Sequence, residues 1–172
     1  MHACHNSSRT SRAGMTVVEL LIVTAMLVVI AVLIVPQFSS ADTIAREGAL
    51  RDTLRDFRTQ INIYKAQHQG IAPAPGPGMD EKVFVAQLTG YTNEAGKVSP
   101  GARPDDTYRL GPYLRAIPIN PFNGLRSVRL IGPDSFPVTG EGTHGWVYQP
   151  STGQLSADLR GDDEQGVPYF QY

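Results

Sequence analysis

The run from Met15 to Val35 is uncharged except for one acid, Glu19, and is dominated by apolar residues. As a helix rising roughly 1.5 Å per residue, it would extend about 30 Å, the thickness of a bilayer's hydrocarbon core. Arg9 and Arg12 flank its N-terminal side. The positive-inside rule therefore puts the leader in the cytoplasm and the C-terminal part of the chain across the membrane. A carboxylate at mid-span costs roughly 2.5–3.5 kcal/mol on insertion scales. Near the end of the span the cost falls, but the acid still needs a reason, and a partner on a neighbouring copy is the one favoured here. The rest of the chain is fairly polar and rich in Gly and Pro, and its 172 residues leave room for one modest domain beside an anchor. A net charge of -1 gives no basic excess of the kind that nucleic acid binding requires.

The only cysteine, Cys4, precedes the apolar run. It permits no intramolecular disulfide and no cysteine-based zinc site. A lipoprotein cysteine follows an apolar stretch, so Cys4 reads as incidental. The span itself has three readings. An ordinary secretory signal would have a basic start, an apolar core and a small-residue site, here Ser39-Ser40-Ala41. Against it, the core exceeds the usual length of about 7–15 residues, and a discarded core has no use for Glu19. A plain single-span anchor leaves Glu19 an accident or a local helix contact. The third reading keeps both the helix and the acid for assembly.

Beyond the span, Pro36 lacks a backbone donor and predicts a kink or a break. A helical pattern then resumes: Leu50, Leu54, Phe57, Ile61 and Tyr64 fall on one helix face. Arg46, Glu47, Arg51, Asp52, Arg55, Asp56 and Arg58 lie between them and read as a solvated face, with Glu47 and Arg51 a favourable i,i+4 pair. The helix should stop near Gly70, with Pro73 just beyond. Ala72 to Gly78 is a loop by composition. Asp80 is placed to cap a short helix containing Val83, Phe84 and Leu88 and ended by Gly90. From Tyr108 the pattern turns to short strands: Ser127 to Ile131, then a hairpin from Gly145 to Leu159 with Trp146 and Tyr148 on one face. Those aromatics read as core, packed on the helix stripe.

The residues Gly14, Met15-Thr16-Val17-Val18, Glu19, the apolar helix and then Pro36 resemble a type IV prepilin signal. In that family a membrane peptidase cuts after the glycine and methylates the new N-terminus, and the apolar helix is kept. The common pattern reads Phe-Thr-Leu-Ile-Glu; here Met15 and Val17-Val18 stand in as apolar replacements. The resemblance implies processing between Gly14 and Met15. It also implies a helix continuing past a kink at Pro36, and a filament in which Glu19 meets the Met15 amine of a neighbouring copy. Opposite charges a few ångströms apart in a low dielectric attract strongly, and an unpaired buried charge is penalised, so the pair would set axial register. Gly111-Pro112-Tyr113-Leu114, Ile117 to Gly124 and the Gly145 to Tyr148 strand resemble, more loosely, the major pseudopilins of type II secretion systems. Those proteins often bind calcium in a loop of the terminal sheet. In this chain Asp158, Asp162, Asp163 and Glu164 are the oxygen ligands such an ion would take.

The expected fold is thus α+β: a long N-terminal transmembrane and amphipathic helix packed on a small C-terminal antiparallel β-sheet, the pilin-like arrangement. Its expected parts are a leader (1–14), a transmembrane segment (15–35), an extramembrane continuation of the helix (36–70), a Pro/Gly-rich loop region (71–106) and a β-sheet head (107–172). The expected function is structural: a subunit of a periplasmic pseudopilus, single-pass in the inner membrane, with its C-terminal domain periplasmic. Its expected partners are other copies, the prepilin peptidase, other pseudopilins and the inner-membrane secretion assembly, with no nucleic acid. The alternatives are a type IV pilin of a surface fibre or a signal-anchored periplasmic binding or sensor protein. The absence of a cysteine after the leader leans towards the pseudopilus, since major pilins commonly pin their C-terminal region with a disulfide. No enzyme signature stands out. Only His68 and His144 follow the leader, without a nucleophile elbow or a phosphate-binding glycine loop. Asp134 and Ser135 lie near His144 in sequence but make no triad without geometry.

Overall fold

The computed structural model describes residues 15–76, 80–134 and 136–172, and the side chains of all of these except 32–40. The fold is α+β. Among the described residues it has a long helix α1 (Val17–Gln67), a short helix α2 (Glu81–Thr89), strands β1 (Val128–Leu130), β2 (Trp146–Gln149) and β3 (Gln154–Ala157), and a 3-10 turn at Tyr169–Gln171. The chain divides into two compact units, Met1–Thr43 and Ile44–Tyr172.

In the first unit, α1 starts where Thr16 offers its side chain to the orphan donors of the first turn. The Glu19 N–H donates to Thr16 Oγ1 at 3.2 Å. Thr16 and Glu19 have the spacing of a capping box, and Glu19 lies in the first turn, where an acid complements the helix dipole. The side chains of Val17, Val18, Leu21, Met26 and Leu27 are all exposed. Among the described residues no helix is long and apolar enough to cross a membrane. The described side chains of the apolar run stop at Ala31. The backbone remains helical through residue 36, so the break predicted at Pro36 does not occur. The Pro36 side chain, which the expected kink concerns, lies outside the described ones.

In the second unit, the predicted stripe is the core. Leu50, Leu54, Phe57, Ile61 and Tyr64 are almost wholly buried. They recur on one face because apolar spacing follows the helical period. Phe57 meets Trp146 edge-on at 5.8 Å and Phe84 at 6.2 Å, and Phe84 packs on Tyr148 at 4.6 Å. Lys65 occupies the last turn of α1, and Gly70 adopts a left-handed φ of 83° while its N–H closes on Lys65 O at 2.8 Å. Helix α2 forms as expected: the Asp80 carboxylate accepts from the Val83 N–H at 3.0 Å, and Gly90 is the C-cap. Its buried Gln87 accepts from Ala74 N and donates to Gly96 O, so it fastens two loops to the helix.

The sheet order is β1-β2-β3. The hairpin from β2 to β3 is antiparallel as expected, with Val147 opposite Ser156. β1, however, runs parallel to β2, with Val128 opposite Trp146, so the sheet is mixed rather than antiparallel. The reason lies in residues 131–145. They form a long crossover, which a parallel pair needs, instead of the tight turn that would reverse the chain. All four β2 residues are buried, not only the alternate ones. β2 is the central strand, and Gln149 donates from Nε2 to the carbonyls of Gly132 and Asp134 in the crossover. At the outer side of β1, Glu81 Oε1 accepts the Val128 N–H at 2.8 Å; beyond β3, Arg58 donates from Nε to Leu155 O at 3.1 Å.

Candidate functional site

Of the residues expected to act in processing and assembly, Gly14 lies outside the described residues. Met15 and Glu19 are both exposed. Thr16 Oγ1 takes the Glu19 main-chain N–H and holds the start of the helix. Among the described residues the Glu19 carboxylate has no hydrogen-bond or ion-pair partner.

The four acids expected to hold calcium fall into separate environments. The Asp158 carboxylate is fully buried. It accepts from the N–H groups of Glu141 at 2.6 Å, Thr143 at 3.2 Å and His144 at 2.9 Å, and Arg129 Nη2 stands 3.3 Å away. Burial pushes its pKa up. The N–H groups of Glu141, His144 and Gly142 and the charge of Arg129 outweigh that and hold it below the ordinary carboxylate value. Its oxygens are thus occupied in fixing the end of the crossover. Asp163 is committed to a second cluster: it accepts from Tyr172 Oη at 2.6 Å, Arg51 at 2.9 Å and the N–H groups of Gln165 and Val167. The Tyr172 hydroxyl is the main influence that lowers the Asp163 pKa. Asp162 and Glu164 are exposed. Among the described residues, no group of three or more His, Cys, Asp or Glu side chains is placed to hold a metal ion.

The charged face of α1 is less solvated than the sequence suggests. Glu47 is buried and accepts from Tyr169 Oη at 3.0 Å. Arg51 donates to Asp163 and also lies over the Tyr172 ring at 4.2 Å. Arg58 donates to the main-chain oxygens of Leu155 and Tyr172. Three of the seven charged residues therefore latch residues 163–172 to the helix. The signal was available in the aromatic spacing of Tyr169-Phe170-Gln171-Tyr172, but an aromatic run does not name the cation that it will meet.

Two histidines, His68 and His144, lie among the described residues. His68 is fully buried, stacked on Tyr64 at 3.8 Å, and both its ring nitrogens have partners, Tyr64 O and Thr92 Oγ1. His144 Nδ1 lies 2.8 Å from Thr143 Oγ1 and 3.8 Å from Asp158 Oδ2. A relay needs the hydroxyl and the acid on opposite ring nitrogens, and here both face the same one. Ser135 lies outside the described residues. The run Gly111 to Leu114 closes the end of α2, where the N–H groups of Tyr113 and Leu114 both reach Leu88 O at 2.9 Å. The run Ile117 to Gly124 forms a turn tied to the start of β2 through Trp146 Nε1 to Pro118 O at 3.0 Å. No family model matches the chain, and neither does any curated protein or solved structure.

Proposed function

We propose that the chain is a prepilin-type structural subunit, cut after Gly14 and built into a periplasmic pseudopilus of a type II secretion system. The observation that carries this reading is Glu19. It is a carboxylate without a partner among the described residues, in the first turn of a helix whose next described side chains are apolar and exposed. Such an acid is costly in a membrane or a helix bundle unless a cation meets it. A newly cut Met15 amine on a neighbouring copy is a cation of suitable reach, and it would exist only after processing. The prepilin-like pattern of Gly14, Thr16 and Glu19 supports the same reading, as does the α+β core in which Leu50 to Tyr64 of α1 pack on Trp146 and Tyr148.

Mass spectrometry of the mature N-terminus tests it. N-methylated Met15 is the expected result. A start at Asp42 would mean ordinary secretion, and an intact leader would mean a plain anchor; either result sinks the proposal. Glu19→Val should leave cleavage and insertion intact and abolish filaments; assembly at the wild-type level would refute the pairing. Filaments that extend from the cell surface, and not within the periplasm, would make the chain a type IV pilin instead.

A further inference from the structure

Asn123-Gly124 is the one Asn-Gly pair in the chain. Glycine has no Cβ to shield its main-chain nitrogen, so this dipeptide is the most prone of the Asn-X pairs to lose its side-chain amide spontaneously. The reaction needs the Gly124 nitrogen to reach Asn123 Cγ. In the structure both groups are engaged in other hydrogen bonds. The Gly124 N–H donates to Asn120 O at 2.8 Å. Asn123 Nδ2 donates to His144 O at 2.8 Å, and Asn123 Oδ1 accepts from Leu125 N at 3.0 Å. Asn120 adds a parallel stitch, Nδ2 to Gly145 O at 2.8 Å. The turn is thus sewn to the residues that lead into β2.

We propose that Asn123 is a deamidation site gated by unfolding: protected while this turn is closed, and reactive once it opens. In the open chain the Gly124 nitrogen loses its proton and attacks Asn123 Cγ. A new C–N bond closes a five-membered succinimide, the Cγ–Nδ2 bond breaks, and ammonia leaves. Water then opens the ring at either carbonyl and leaves an aspartate or an isoaspartate at 123. The product puts a carboxylate where Nδ2 had donated to His144 O. Acceptor then faces acceptor, in a part-buried place, and a buried group that loses its hydrogen bond is penalised. The isoaspartate product also lengthens the main chain within the turn. Opening is thereby recorded in one direction, because the altered turn no longer closes on β2 as before.

The test uses the full chain, incubated at mildly alkaline pH in native buffer and in unfolding guanidinium chloride. The tryptic peptide from Ala116 to Arg126 is then assayed for the mass gain of amide-to-acid conversion and for isoaspartate. Conversion should be at least about tenfold slower in native buffer, as expected for a reaction that needs local opening. Equal rates in the two conditions, whether fast or slow, would overturn the gating. Asn123→Asp should lower the denaturant midpoint of the full chain; an unchanged midpoint would overturn the one-way character.

Discussion

Asp158 and Tyr148 show how differently two buried polar side chains weigh. Asp158 collects N–H donors from Glu141, Thr143 and His144 and the Arg129 guanidinium. Asp158→Asn would remove the charge and set an amide donor against other donors. Breaking a buried, fully bonded charge of this kind costs about 3 kcal/mol, which a shift of the urea midpoint of the full chain would read. The Tyr148 hydroxyl, in contrast, is buried without a hydrogen-bond partner among the described residues, and burial raises its pKa. Tyr148→Phe should therefore be neutral or stabilise by up to about 1 kcal/mol in the same assay. Neither outcome was legible from the residues alone. Asp158 stands near an acid-rich stretch, and only the resemblance to the pseudopilins made it a candidate calcium ligand. The N–H groups that claim it come from residues 141–144, where no periodicity announces a loop conformation. Asn123, likewise, reads only as a turn residue until His144 O is seen beside it.

Helix α1 was legible in its second half because burial there follows the helical period. Phe57 packs between Phe84 and Trp146 in that buried stripe. Phe57→Ala should cost about 3–5 kcal/mol, through lost transfer and the cavity left behind. Asp52→Ala, on the exposed side of the same helix, should stay within about 0.5 kcal/mol. Comparing the two denaturation midpoints checks that the stripe, not the helix as such, carries the stability. The helix stop at Gly70, the Asp80 cap and the β2–β3 hairpin were also legible, since each rests on local turn or cap chemistry. The direction of β1 was not. Alternation along Ser127 to Ile131 marks a strand but is silent on whether its neighbour runs with it or against it. That choice belongs to the crossover of residues 131–145, whose course depends on Asp158 and Gln149 contacts far along the chain.

For the molecule as a whole, two latched acids contribute to the response to acid. Asp158 and Asp163 both have folded pKa values below the ordinary carboxylate value of 3.8. A depressed carboxylate binds protons more weakly in the folded state than in the unfolded state. Its contribution is therefore complete above the unfolded value and is lost as pH falls through the folded one. The urea midpoint should accordingly hold from neutral pH down to about pH 5 as far as these two groups decide it, then fall steadily below about pH 4. The Asp158→Asn variant should show a shallower acid limb than the wild type.

The Glu81 bond to Val128 and the Arg58 bond to Leu155 have a consequence for crowded copies of this chain. A sheet of three short strands offers two open margins, and an open margin is a template on which another chain can add a strand. Here a carboxylate covers a donor on one margin, and a guanidinium covers an acceptor on the other. Recruitment of a foreign strand must first displace a charged side chain from either side. Addition of a strand at either margin is therefore opposed by one charged side chain, and amyloid-like stacking of copies would have to break the Glu81 or the Arg58 bond first.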